Sequence, residues 1–287
     1  MIVVDNNTLN IAVIGGDERQ KLIYRYLHNK GYSIILEGHD DGINYNHISK
    51  SKFIILPTVV SRDGDTLSAP NCKAKIPMNT LLAAFENCQY IACGNIKQDL
   101  ANEIESKNIK LFKYTDCPVF KTLNAVPTAE GAIAIAIEKT DKTICGSKCL
   151  IIGNGSIGKC LSKSLKGLGA TVTVSARKEF DFANLWSDNI TYINTNHLND
   201  IQLNDFDIIF NTVPNRIITN DSLKKLDKDT LIIDLASNPY GFDHSINDIA
   251  CRLILAPSLP AIYAPKSSAT ATAKTIENYI SEVINNG

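Results

Sequence analysis

The sequence predicts an α/β protein of two Rossmann-like, doubly wound parallel-sheet domains joined by a long helix. Three observations carry that expectation. Short apolar runs rich in β-branched residues alternate with helical patterns along the chain, the signature of βαβ units. Two of those runs, NIAVIGG and KCLIIGNG, end in glycine turns that open helices, one in each half. The length, 287 residues, is long for one core and comfortable for two.

In the first half the predicted strands are 10–14, 33–36, 53–56, 90–93 and 109–111. In the second they are 148–152, 171–175, 190–193, 207–211, 230–235 and 252–255. Between the halves Pro127 reads as a helix start and Glu130 as a first-turn acid, so the apolar run that follows is expected to form a connecting helix over 127–143. Its AIAIAI alternation also suits a strand. A last helix over 265–287 carries Ala269, Ala273, Ile276, Ile280 and Val283 on one face. The expected domains are 1–126, with 265–287 packed back on it as a substrate and partner domain, and 144–264 as the cofactor domain.

Composition removes several functions. With 30 acidic and 29 basic residues the net charge is −1, so no charge excess drives binding to nucleic acid or to an anionic membrane. The opening MIVVDNNTLNIAVIGG has no basic n-region and no small-residue cleavage site. The apolar runs are short of the roughly 20 residues a bilayer needs, so a soluble, cytoplasmic protein is expected. The 8 cysteines lack paired metal-ligand spacing and read as reduced thiols, with no metal site. His28, His39, His47, His197 and His244 are isolated and read as surface or loop residues.

The strand 148–152 runs straight into Gly153-Asn154-Gly155-Ser156-Ile157-Gly158, and then into a helical pattern through Leu161, Leu165 and Leu168. This places GxGxxG between a strand and a helix. Gly153 permits the tight turn, Gly155 lets backbone approach a pyrophosphate, and Gly158 lets the helix sit close to the strand. The helix start offers free N–H groups and a positive dipole to phosphate. An ordinary glycine-rich βα turn is the alternative. At the end of the next strand, where an NAD-binding fold usually carries a carboxylate for the ribose hydroxyls, stand Ser175-Ala176-Arg177-Lys178. With no carboxylate there, and Arg177 suited to bidentate pairing with a 2′-phosphate, NADP is the expected cofactor. The same two cations also fit a solvated loop. Asn211-Thr212-Val213-Pro214 and Leu235-Ala236-Ser237 follow the fourth and fifth strands, on the nicotinamide side of the crevice.

In the first half Gly15-Gly16-Asp17, with Arg19 one turn into the helix, form a second anion pocket without GxGxxG spacing, better suited to a substrate carboxylate than to another dinucleotide. The competing reading is that Asp17 caps the helix and Arg19 pairs with an acid. Thr58 and Ser61 follow the third strand at the same edge and join the candidate substrate contacts.

The residues that carry a family resemblance are IAVIGGDERQ near the start, NAVPTAEGAIAIAI at the junction, GSKCLIIGNGSIGK, SARK, LIIDLASNPYGFD and LAPSLPAIYAPKSS. In this order they resemble the dipicolinate synthase A-subunit family over nearly the whole chain, most weakly in 61–77 and 102–122. The resemblance implies a sporulation enzyme of the bacterial mother-cell cytoplasm. It would work with a second, flavoprotein-like B-subunit and oxidise a dihydrodipicolinate-type intermediate to pyridine-2,6-dicarboxylate, with NADP⁺ accepting the hydride. A dianionic substrate needs two anion sockets. Beside the Gly15-Gly16-Arg19 loop, the second is expected at the junction-helix start near Asn124, Thr128 and Glu130, or at Lys266 opening the last helix. Glu130 is the candidate base and Lys266 a candidate carboxylate partner. The alternatives are a 2-hydroxy-acid or alanine-type dehydrogenase and a non-catalytic NADP-binding scaffold. The oligomeric state stays open, with a homo-oligomer allowed.

Overall fold

A computed structural model of the chain describes residues 9–40, 42–243, 245 and 249–286. His244 and the opening MIVVDNNT lie outside the described residues. In chain order the elements are β1 (Ile11–Ile14), α1 (Glu18–Asn29), β2 (Ile34–Glu37), α2 (Tyr45–Ile48), β3 (Phe53–Ile55), α3 (Met78–Ala83), β4 (Tyr90–Cys93), α4 (Gln98–Ser106), β5 (Lys110–Lys113) and α5 (Pro118–Lys139). Then follow β6 (Lys148–Ile152), α6 (Ser156–Gly167), β7 (Thr171–Ala176), α7 (Glu179–Ser187), β8 (Thr191–Asn194), β9 (Ile208–Asn211), α8 (Asn220–Lys224), β10 (Leu231–Asp234), β11 (Arg252–Leu255), α9 (Leu259–Tyr263) and α10 (Pro265–Asn286). Every strand expected from the sequence is present, with ends that move by no more than two residues.

The chain divides into one unit of Met1–Asn124 with Pro265–Gly287 and another of Ala125–Ala264. In the first, the parallel sheet runs β2-β1-β3-β4-β5. Successive side chains of a strand point to opposite faces. Ile11, Val13, Phe53 and Ile55 therefore pack against Ile23 and Leu27 of α1 and against Ala269, Ala273, Ile276 and Ile280 of α10. Ala12, Ile14, Ile54 and Leu56 meet Leu81, Leu82, Leu100 and Ile104 on the other face. Both faces are covered, which is why these strands are continuously apolar rather than alternating.

The second unit has sheet order β11-β10-β9-β6-β7-β8, again all parallel. The order reverses beside β6, so β6, β7 and β8 form one half and β9, β10 and β11 the other. Loops at the carboxyl ends of these strands line the crevice in which such sheets bind a dinucleotide.

One element departs from expectation. The junction helix starts at Pro118, with Pro127 in its interior. Pro118, which the sequence reading passed over, takes the first position instead of Pro127. An interior Pro costs about 3 kcal/mol. Packing offsets it: Phe120 is buried in the first unit's core, and Ala129, Ala132, Ile133 and Ala136 in the second's. The AIAIAI run is helical because these buried positions recur with helical rather than twofold spacing, leaving Glu130, Ile137 and Glu138 exposed.

Candidate dinucleotide-binding site

Strand β6 delivers the chain to Gly153, whose φ of +102° belongs to glycine. A Cβ there would stand 2.6 Å from both Thr212 Oγ1 and Val213 Cγ2. Gly158, in the first turn of α6, leaves no space either: a Cβ would overlap the Gly153 carbonyl oxygen. These two glycines let the helix lie against its own turn. Gly155 differs, being exposed, with nothing within 4 Å of where its Cβ would be. It is the N-cap of α6 and supplies no side-chain cap bond. The amides of the first turn therefore face open space at the positive end of a 12-residue helix. Bare donors under an open cradle fit a pyrophosphate.

At the expected adenosine end Ser175 and Ala176 are buried, so they wall the site rather than offer polar side chains to it. The Ser175 Oγ instead accepts from Thr195 Oγ1 at 3.2 Å. Arg177 and Lys178 are exposed, and Lys178 is the N-cap residue of α7. The absence of a carboxylate from 175–178 does not extend to the folded loop. Asp181, in the first turn of α7, accepts a hydrogen bond from Asn154 Nδ2 at 3.1 Å, which puts an acidic group against the glycine turn. Asn154 also closes one end of a groove of about 710 Å³ between α6 and α7. Apart from Asn154 and Ile190, that groove is lined by α6, α7 and the end of α7, away from the strand ends.

The other half of the crevice is built on a buried polar network. Asn211 and Asp234 end β9 and β10 and are paired in register. Asp234, with no exposed surface, accepts from Asn211 Nδ2 at 2.8 Å, from Ala236 N at 3.1 Å and from Gly241 N at 2.9 Å. Asn211 Oδ1 accepts from Val213 N, and its Nδ2 also donates to Val213 O. Thr212 Oγ1 donates to Ile152 O at 2.9 Å. The buried Asn211, Leu235 and Ala236 thus belong to the wall of the crevice, whereas Pro214 and Ser237 are exposed.

In the first unit the anion pocket is filled from within. Gly15 and Gly16 both take positive φ, and Asp17 caps α1 by accepting from Arg19 N at 3.0 Å. The Asp17 carboxylate also holds Arg19 Nε at 2.9 Å and Nη2 at 2.8 Å. Burial pushes the Asp17 carboxyl up, but the Arg19 bonds and charge outweigh it and leave it below the usual carboxylate range. Asp17 is therefore a cap and a counter-ion rather than a substrate contact. Arg19 pairs two residues away, not with a distant surface acid. Ser61 Oγ closes its own loop, accepting from Gly64 N and donating to Asp63. Thr58 is half-buried beneath the fully buried Tyr114, whose OH makes long contacts of 3.4 Å to Thr58 Oγ1 and Leu56 O.

Of the two places expected for a second anion socket, the one on the junction helix is not at a helix start. Asn124, Thr128 and Glu130 lie inside α5, where backbone N–H groups already bond within the helix. Asn124 Oδ1 accepts from Ser268 Oγ at 3.0 Å, and Thr128 is buried. Glu130 is exposed, and its charge reaches the Cys160 thiol of α6, which burial and then Glu130 push up. Lys266 is exposed in the first turn of α10. Among the described residues no group of three or more His, Cys, Asp or Glu side chains could hold a metal ion. None of the described helices is long and apolar enough to cross a membrane.

Compared with known proteins, the chain is 31% identical to the dipicolinate synthase A-subunit of Bacillus subtilis (strain 168) over 96% of its own length and 97% of that protein's. It belongs to the dipicolinate synthase A-subunit family. The crystal structure of the Bacillus subtilis protein superposes with a TM-score of 0.88 at 30% identity, covering 97% of this chain and 98% of that one. The A-subunit of Bacillus halodurans gives 0.86 at 26% identity, covering 96% and 98%. Residues 10–115 match the family model for the dipicolinate synthase A-subunit N-terminal domain. Residues 128–251 match the model for the NAD binding domain of S-adenosyl-L-homocysteine hydrolase. The second unit of this dipicolinate synthase family member is therefore a Rossmann-like domain of the nicotinamide-dinucleotide-binding class.

Sequence reasoning passed over Asp181 and Asp234. The signal for Asp234 was present: IIFN and LIID are apolar strands that each end in one polar residue, as two adjacent strand ends sharing a hydrogen bond would. Asp181 had no such signal, because only the fold of α7 turns it toward Asn154.

Proposed function

We propose that this chain is the nucleotide-binding subunit of a dipicolinate synthase, an oxidoreductase that converts a dihydrodipicolinate-type ring to pyridine-2,6-dicarboxylate during sporulation, in the cytoplasm and together with a second, flavoprotein-like subunit. The observation that carries the reading is the open N-terminus of α6: Gly155 leaves its first-turn amides uncapped above a turn that only glycine permits. Kinship over nearly the whole chain supports the substrate. A bound nicotinamide supplies a hydride acceptor, so the ring loses hydride to it and a proton to solvent or a base, and gains aromaticity. The protein's own part is to bind, orient and exclude water. Arg177 and Lys178 would receive a 2′-phosphate, which makes NADP⁺ the preferred acceptor. We assign Lys266, exposed in the first turn of α10, to one of the substrate's carboxylates. Glu130, exposed on α5, is the candidate base for that proton.

A second cofactor reading, NAD⁺, has its own support in Asp181, whose carboxylate would oppose an extra phosphate. The test is direct. Purified chain with its partner subunit, NADP⁺ or NAD⁺ and freshly generated dihydrodipicolinate precursor should produce reduced-nucleotide absorbance faster than the spontaneous oxidation. A rate equal to the spontaneous one with both nucleotides rejects the proposal. A faster rate with NAD⁺ alone rejects the NADP assignment and keeps the rest.

A further inference from the structure

The groove between α6 and α7 has no task in the proposed function. Its α6 wall carries Lys159, Lys163 and Lys166, spaced four and three residues apart and therefore on one face of the helix. All three are exposed. Lys166 Nζ donates to the carbonyl oxygens of Asp188 at 2.6 Å and Asn189 at 3.2 Å, at the opposite end from Asn154 and Asp181. Lys159 and Lys163 make no ion pair among the described residues. Of the residues lining the groove only Asp188 is acidic. The chain as a whole carries a net charge of −1, so this excess of cations is local. Like charges one turn apart destabilise a helix slightly, a burden that an acidic group laid along the row would relieve.

The α7 wall adds apolar surface. Among the described residues the two most exposed large apolar side chains are both on this helix, Trp186 at 74% and Phe180 at 73%. Phe180 lines the groove and Trp186 does not. Six residues apart, they leave the helix in different directions, so the apolar surface continues past the groove. Tyr192 of the edge strand β8 is also exposed and stacks on Phe182 of α7 with ring centroids 5.1 Å apart. Exposed aromatics spread over a helix mark a surface that meets another protein, and they exceed what one small ligand could cover. A second copy of this chain docking the same face would set lysine row against lysine row. The charge therefore selects a different protein, with an acidic face.

We propose that the α6–α7 groove is where the second subunit docks, through a segment whose acidic side chains lie along Lys159 and Lys163 and whose apolar side chains cover Phe180 and Trp186. This is the helix-in-groove mode of recognition, with the aromatics as anchors and the lysines setting specificity. The inference rests on the two-subunit reading above and adds the surface at which the partner sits.

Calorimetric titration of the full-length chain with the purified second subunit tests it without substrate or turnover. Lys163→Glu and Phe180→Ser, made singly, should each weaken the complex at least about tenfold, as should Trp186→Ser. Lys163→Arg, which keeps the charge, and Lys228→Glu, the same reversal at an exposed site elsewhere in this unit, should stay within about twofold of wild type. The melting temperature and nucleotide affinity of Lys163→Glu and Phe180→Ser should match wild type, because both side chains are exposed and outside the glycine turn. Added salt should weaken the wild-type complex more than that of Lys163→Glu. Folded variants that bind the second subunit as tightly as wild type overturn the proposal, and so does an equal loss in Lys228→Glu, which would reflect net charge alone. Self-association of the chain that Phe180→Ser abolishes, with no affinity for the second subunit, gives the groove to another copy and also overturns it. A folded wild type that binds neither removes the two-subunit reading together with this docking site, a result distinct from a complex that the variants leave intact.

Discussion

Replacing Gly155 and Gly158 singly by alanine separates the two jobs of the glycine turn. At Gly155 the backbone is extended with φ −76°, a conformation open to alanine, and the added methyl meets nothing within 4 Å. Alanine is a poorer N-cap than glycine by roughly 0.5–1 kcal/mol, while the stiffer unfolded chain returns about 0.4–1 kcal/mol. The two nearly cancel, so the melting temperature should stay within roughly 2 °C of wild type. The methyl does, however, occupy the space above the α6 amides. Nucleotide affinity should fall at least about tenfold, or roughly 1.4 kcal/mol. At Gly158 the methyl has no such freedom, because it overlaps the Gly153 carbonyl oxygen and lies 3.0 Å from its carbon. Helix α6 must shift away from the turn, a strain of about 1–3 kcal/mol that lowers the melting temperature by several degrees. Differential scanning calorimetry and nucleotide titration on both variants make the comparison. Wild-type affinity in Gly155→Ala would refute the assignment of that open space to the pyrophosphate.

At the adenosine end, Arg177→Asp should weaken NADP⁺ far more than NAD⁺, and Asp181→Asn should strengthen NADP⁺ relative to NAD⁺; parallel titrations that find equal effects on both nucleotides would remove these residues from cofactor choice. The buried His39 donates from Nε2 to Gly15 O at 2.7 Å, and burial holds its pKa below 6.5 in spite of that bond. Its folded form stays neutral while the unfolded chain takes up a proton, so its contribution to stability is complete above about pH 6.5 and declines as pH falls toward the folded value. Urea midpoints at about pH 7.5 and 5.5 should therefore drop on acidification in wild type and drop less in His39→Gln; identical losses would place the acid sensitivity elsewhere. Removing the carboxylate in Asp17→Ala uncaps α1 and leaves Arg19 unpaired, and should cost about 1–2 kcal/mol in chemical denaturation. Unchanged stability would show that cap and ion pair contribute nothing.

Much of the architecture was readable from residue patterns alone. Runs such as AVI and LII can only be strands buried on both faces, and the GNGSIG turn requires its strand and helix on either side, so β1, β6, α6 and the two sheets follow from local rules. The last helix was equally plain, because its small and aliphatic residues recur with helical spacing and four of them are buried against β1, β3 and α1. The start of α5 was not, since two prolines nine residues apart both satisfy the rule for a first turn and only packing selects between them.

The sequence by itself determined the strands, the helices that follow the two glycine turns, the last helix, and that one glycine turn is shaped for a pyrophosphate, because each of these depends on spacing within a few residues. Tertiary structure alone decided which polar groups remain available. It turned the Asp17 carboxylate into its own helix end, brought Asp181 of α7 against Asn154, and buried Asp234 between Asn211 and Gly241. Those contacts join side chains to partners set by crossing helices and strand order, distances that no periodicity along the chain encodes.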